Sequence, residues 1–128
     1  MAELDYAFVA DFASISDGKL SVIGGSFVEL TVPAFPSVQP VTVVGRLRAK
    51  EDFEPFALTI EFRLPDGDDF VVTGTIDSKN VDHVYDSKSA VLFCINQGLR
   101  FDAPGLVEID LKIDGEHVRT LKFDVAAS

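Results

Sequence analysis

An all-β fold, built as a two-sheet antiparallel sandwich of about eight strands, is what this chain of 128 residues predicts. Three observations carry that reading. Apolar and polar residues alternate with a period of two along most of the chain, the pattern of strands with one buried and one wet face. Asp-Gly, Pro-Gly and Ser-Asp-Gly turns separate the alternating runs. No long run has helical periodicity. Many short strands joined by Gly, Pro and Asp turns favour a sandwich, with an eight-stranded barrel as the structural alternative.

The first strand is expected where Tyr6, Phe8, Ala10 and Phe12 alternate with Ala7, Val9 and Asp11, and Ser16 to Lys19 turns the chain. Leu20, Val22, Val28, Leu30 and Val32 then share one parity, so one strand is expected, broken by a bulge or bend at Gly24-Gly25. A phosphate-cradling loop at those glycines is disfavoured, because no helix start follows them. Pro33, Pro36 and Pro40 mark an ordered loop that crosses between the sheets and exclude a central strand there. Val41, Val43 and Leu47 oppose Thr42, Arg46 and Arg48 in the third strand, and a charged loop spans 50–55. Phe56, Leu58, Ile60, Phe62 and Leu64 form the cleanest buried face of all. The Asp66-Gly67-Asp68-Asp69 turn leads to a strand carrying Phe70, Val72 and Ile76. The stretch 77–89 has no period of two and reads as a long loop with a short helical turn near 81–85. Val91, Phe93, Ile95, Leu99 and Phe101 keep one parity across Gln97-Gly98.

The last two strands are the most legible. Val107, Ile109, Leu111 and Ile113 fall on one face, and Glu108, Asp110, Lys112 and Asp114 on the other. Asp114-Gly115 supplies the φ > 0 positions a tight hairpin needs. Leu121, Phe123 and Val125 return. Val118 is out of phase with them, which predicts a bulge near Arg119-Thr120.

The length suits a single domain over 1–128, large enough to fold without metal or disulfide. The single Cys94 excludes an intramolecular disulfide and, with the acidic N-terminal stretch lacking a basic start, points to a cytoplasmic protein. No apolar run approaches the roughly 20 residues of a membrane span. A net charge of −10 repels phosphate backbones and anionic lipid, so neither nucleic acid nor membrane is an expected partner.

Asp5-Tyr6-Ala-Phe8-Val-Ala-Asp11, then Asp17-Gly18-Lys19-Leu20 and Gly24-Gly25, then Pro33-Ala-Phe35-Pro36, follow a pattern of an ALLADxA strand, DGKLxxxGG and PxFP. That pattern resembles a family of small uncharacterised bacterial proteins, notably actinobacterial. The Asp66-Gly67 turn and the 104–115 hairpin are similar to it too. The resemblance implies an immunoglobulin-like or C2-like sandwich, and it implies no activity and no site residues.

If successive strands reverse, the turns sort into two ends. One end gathers Asp17, Glu51 to Glu54, Asp77 to Asp86 and Asp114 to Glu116. The other gathers the proline loop, Asp66 to Asp69, Asp102 to Gly105 and both termini. Asp66, Asp68, Asp69 and Asp102 are the carboxylates that calcium, which takes six to eight oxygens, would draw on. Their spacing matches no EF-hand, and Asp is common in turns for conformational reasons. Phe35, Pro36 and Val38 form a proline-stiffened apolar element suited to anchoring a partner, or to plugging the open end of the sandwich. His83 and His117 are expected on loops at the acid-rich end, far from mid-strand Cys94, which separates any cysteine–histidine nucleophilic pair. The two histidines with Asp82, Asp86 or Glu116 match no zinc or iron spacing. The expected function is a non-catalytic binding or assembly module for a protein partner or a second copy of itself, with no cofactor. A Ca²⁺- or small-ligand-binding sandwich is the second reading and a metal-dependent enzyme the third.

Overall fold

The computed structural model describes residues 2–128, and two five-stranded sheets pack face to face in it. The ten strands are β1 (Glu3–Ser16), β2 (Lys19–Gly25), β3 (Glu29–Val32), β4 (Ser37–Lys50), β5 (Phe56–Arg63), β6 (Phe70–Ile76), β7 (His83–Tyr85), β8 (Lys88–Phe101), β9 (Gly105–Ile113) and β10 (Glu116–Ala127). The first sheet runs β2-β1-β4-β8-β7 and the second β3-β10-β9-β5-β6, so neither closes into a barrel. All pairings are antiparallel except β3 with β10.

Alternation decides which residues meet between the sheets. Val41, Val43, Leu47 and Phe93 from the first sheet pack on Leu58, Ile60, Phe62, Ile109, Leu111 and Phe123 from the second. Asp114 and Gly115 both adopt positive φ, and the β9–β10 hairpin forms as expected. Its register shifts between His117 and Arg119, where Val118 falls out of phase.

The structure adds two strands to the expected eight. The single strand anticipated over 20–32 is two, β2 and β3, in different sheets. Gly24 has a φ of 61°, and a Cβ there would collide with the Asp11 carboxylate, so only glycine lets the chain turn so close to β1. The other addition, β7, pairs with β8 inside the stretch expected to be a loop, just after a short 3-10 turn at Ser78–Asn80. Only three residues long, β7 is too short to carry a readable period.

The proline loop is shorter than expected. β4 starts at Ser37 and includes Pro40, opposite Gly98 of β8. The β1 ladder stops at Ala10 opposite Thr42, so Pro40 lies where β4 has one neighbour and its missing N–H costs no ladder bond.

Thr42 and Val44 project from the outer face of the first sheet yet are fully buried. The cause is β1, which leaves β4 after Ala10 and crosses the outside of the sheet with β2. Its Ala13 carbonyl accepts a hydrogen bond from the Cys94 thiol of β8 at 3.2 Å. At the hairpin tip, Gly18 lies beside Asp82, and a Cβ added to it would be 3.8 Å from that of Asp82. The Asp17 turn thus joins the 77–86 segment, as the turn count predicts. The N-terminal end of β1 does not follow that count: Ala2 lies with Phe53, Asp114 and Glu116 at the acid-rich end, whereas Ser128 bonds to Val32 beside the proline loop. Crossing over the sheet gives the long β1 a reach that simple strand reversal does not anticipate.

Among the described residues no helix is long and apolar enough to cross a membrane.

Candidate functional site: an arginine between two tyrosines

The concavity under the β1–β2 hairpin tip holds both tyrosines of the chain. Tyr6 comes from β1, Arg46 from β4 and Tyr85 from β7, three strands of one sheet. Register places them, since Tyr6 lies opposite Arg46 and Arg46 opposite Leu92. The Arg46 guanidinium carbon stands 5.1 Å from the Tyr6 ring centre and 5.5 Å from that of Tyr85. Cations within about 6 Å of an aromatic face are attracted by its quadrupole. Arg46 also donates from Nε to Asp5 Oδ2 at 2.8 Å, and its hydrogen bonding to Asp5 raises its pKa, keeping the group charged.

Beneath lies Arg48, almost wholly buried. Its guanidinium carbon is 3.8 Å from the Tyr85 ring centre, and Nη2 donates to the Tyr85 carbonyl at 2.6 Å. Further donations reach the Ser89 and Lys88 carbonyls at 3.3 Å. One side chain therefore fastens the β7–β8 turn and holds the Tyr85 ring in place. Lys88 donates to Glu3 at 2.6 Å, which lowers the Glu3 pKa. Lys19, Leu20, Asp82, His83 and Leu92 also line this hollow of about 410 Å³. The site offers aromatic faces, an apolar floor and an arginine oriented by Asp5, with the Asp82 carboxylate, which accepts from the Leu92 N–H, also in its lining.

The residues singled out from sequence are distributed differently. Asp66 and Asp102 do come together across two turns. Arg100 donates to Asp102 at 2.9 Å, and this bond first, then one with Asp66, holds the Asp102 carboxyl below its ordinary range. Asp69 accepts from the Leu64 N–H at 3.0 Å, fixing the turn, and Asp68 is exposed beside it. No group of three or more His, Cys, Asp or Glu positioned for a metal ion occurs among the described residues. Phe35 packs against the core and plugs the sandwich end, whereas Val38 is 66% exposed above Gly98, and Pro36 is exposed beside them.

Neither histidine is on a loop. His83 lies in β7, and His117 is the second residue of β10. On the outer face of the second sheet His117 Nε2 is 2.7 Å from Thr120 Oγ1, whose hydroxyl donates to Asp110 at 2.6 Å. Asp110 accepts from the hydroxyl and stands 3.5 Å from the same imidazole nitrogen that faces Thr120, so the imidazole does not lie between hydroxyl and carboxylate as in a nucleophile–base–acid relay; Asp110 also pairs with Arg63 at 2.9 Å. Cys94 is partly buried, and that burial raises its pKa.

The tyrosine–arginine site was not anticipated. The signal available in sequence was the scarcity of Tyr, two in the chain, with no Trp. What joins them is the return of β7 onto β8.

Fold and site together describe a β-sandwich that presents on one sheet a hollow built from two tyrosines around an arginine. The chain belongs to DUF6941, a family of unknown function, whose model matches residues 5–126. No curated protein matches it. Among solved structures, the chain resembles the Pseudomonas fluorescens alkylpurine DNA glycosylase AlkC bound to DNA containing an abasic site analog. The TM-score is 0.55 at 8% identity over 98% of this chain, and the match spans 30% of the glycosylase. At that identity the likeness concerns the fold alone.

Proposed function

We propose that this protein is a non-catalytic binding module that holds a protein partner through the Tyr6–Arg46–Tyr85 hollow. The observation that supports this reading is the convergence of both tyrosines on one charged, oriented arginine. Tyr and Arg dominate the energetics of protein interfaces, because they offer large contact area and directed donors at modest entropic cost. Arg48 adds preorganisation, since Tyr85 is already ordered in the free protein. The proline loop is the weaker anchor. Phe35 is engaged with the core, so Pro36 and Val38 are left as a minor contact at most.

The test is comparative capture from native lysate with wild type, Tyr6→Ala/Tyr85→Ala and Val38→Ala. A partner that survives Val38→Ala and is lost with the tyrosine pair supports the reading. A partner indifferent to the tyrosine pair refutes it. The glycosylase resemblance makes DNA the control ligand. With a net charge of −10, this chain is expected to leave a labelled duplex unbound at physiological salt.

A further inference from the structure

The side of the sandwich where β8 and β6 run as neighbouring edges is open. β7 pairs with β8 only from Lys88 to Ala90. One further bond extends this contact, from the Leu92 N–H to Asp82 Oδ2 at 2.6 Å. The Ala90 carbonyl, like the Leu92 amide, points to that side, and the β4–β8 register is unbroken. Since backbone direction alternates along a strand, the N–H and C=O groups of Cys94, Asn96, Gly98 and Arg100 also face outward, with no strand beside them among the described residues.

Beside this edge is a cleft of about 250 Å³ between the two sheets. Leu58, Val91, Phe93 and Ile95 line it, so it reaches core residues. Gly74 of β6 leaves a vacancy in its wall, because a Cβ added there would meet nothing within 4 Å. No residue lining the cleft is charged, and β6 carries no charge at all. Edge strands are ordinarily guarded by charged side chains, Pro or a bulge, and along the open lengths of these two the one such guard is Arg100, near the end of β8 and paired with Asp102.

We infer that the β8 edge takes an extended segment of a partner protein as an added strand, with aliphatic side chains at alternate positions entering the Gly74 cleft. The outward backbone groups match only an extended chain, and the uncharged lining selects aliphatic side chains. Charge decides between a different partner and a second copy. Each copy carries −10, and Asp66, Asp68 and Asp69 stand at the entry to β6, so a second copy is repelled. A segment with lysine or arginine flanking its aliphatic stretch complements that acidic entry. This inference rests on the reading of the chain as a protein-binding module and supplies the mode of recognition; Leu92 borders both the cleft and the tyrosine hollow.

The test uses a short alternating valine–threonine peptide with lysines at both ends, titrated into the full chain and followed by amide hydrogen exchange. Exchange at Asn96, Gly98 and Arg100 is expected to slow at least about tenfold, with the intervening amides unchanged. Asn96→Pro removes one outward donor without touching the β4 ladder, and Gly74→Val fills the cleft; each is expected to abolish the protection while retaining the wild-type circular dichroism spectrum. Should Asn96→Pro unfold the chain, Gly74→Val alone decides. Absent protection, or protection confined to the tyrosine hollow, overturns the inference, as does a doubling of mass in light scattering that Gly74→Val reverses. The peptide assay reads only the edge, and capture with the tyrosine variants reads only the hollow, so the two readings fail separately.

Discussion

Arg48 lies 3.8 Å from the centre of the Tyr85 ring and also donates to the Tyr85 carbonyl at 2.6 Å. A central strand thereby holds an edge strand of three residues that its own ladder would hold poorly. Arg48→Ala is expected to cost about 1.5–3 kcal/mol, the range for hydrogen bonds to a charged group, in urea unfolding. Arg48→Lys is expected to recover only part, because an ammonium lacks the planar fork that serves three carbonyls. If both variants unfold at the wild-type midpoint, Arg48 does not hold β7.

Gly45 faces the core between the Tyr6 carbonyl and Phe93. A Cβ there would come 2.6 Å from Phe93 Cζ and closer still to the Tyr6 oxygen. Gly45→Ala is expected to destabilise by about 1–3 kcal/mol, the usual cost of overpacking. Gly74→Ala enters open space and serves as the control, with an expected change within about 0.5 kcal/mol.

Phe35 and Val38 separate the two roles proposed for the proline loop. Phe35→Ala removes a ring packed on the core and is expected to lower the thermal midpoint by several degrees, about 1–2 kcal/mol for a partly buried ring. Val38→Ala is expected to leave it unchanged. The opposite order would return Phe35 to the list of free anchors.

Acid sensitivity follows from two lowered carboxyls. Lys88 lowers the Glu3 pKa below 4.5, and Arg100 lowers that of Asp102 below 3.8. A carboxyl with a depressed folded pKa contributes stability above its unfolded value and loses it as the pH falls through the folded one. Chemical denaturation from pH 6 down to pH 2 is therefore expected to show stability falling below about pH 4. Lys88→Met/Arg100→Met should flatten that fall; an unchanged profile would assign it to other carboxylates.

Cys94 titrates the other way, its thiol pKa raised above 9.0 by burial. Its thiolate is therefore scarcer than that of a free cysteine at pH 8, and alkylation by iodoacetamide is expected to be slower than that of a free cysteine. Ala13 covers the sulfur, so reaction at the free-cysteine rate would mean that the β1–β2 hairpin lifts from the sheet.

Much of the fold was legible because period-two patterning directly reports which side of a strand is buried. The runs at 56–64, 91–101 and 107–113 needed nothing more. Pro40 misled, since proline excludes a central strand only where both ladders are present. Thr42 misled in another way. It reads as an outward residue and is one, but a second layer covers it, and its hydroxyl finds no partner among the described residues. The site residues Tyr6, Arg46 and Tyr85 are widely separated in sequence, and nothing local distinguishes them from ordinary strand residues.

The sequence by itself determined most of the strands and turns, the composition of the core and the acidic surface, because each depends on residues a few positions apart. Only the tertiary structure decided that β1 and β2 fold across the outside of the first sheet, that β7 returns to β8, and that β8 then runs on with its outer side unpaired. Those outcomes depend on register and on strand twist summed over many residues. They alone place two tyrosines around one arginine.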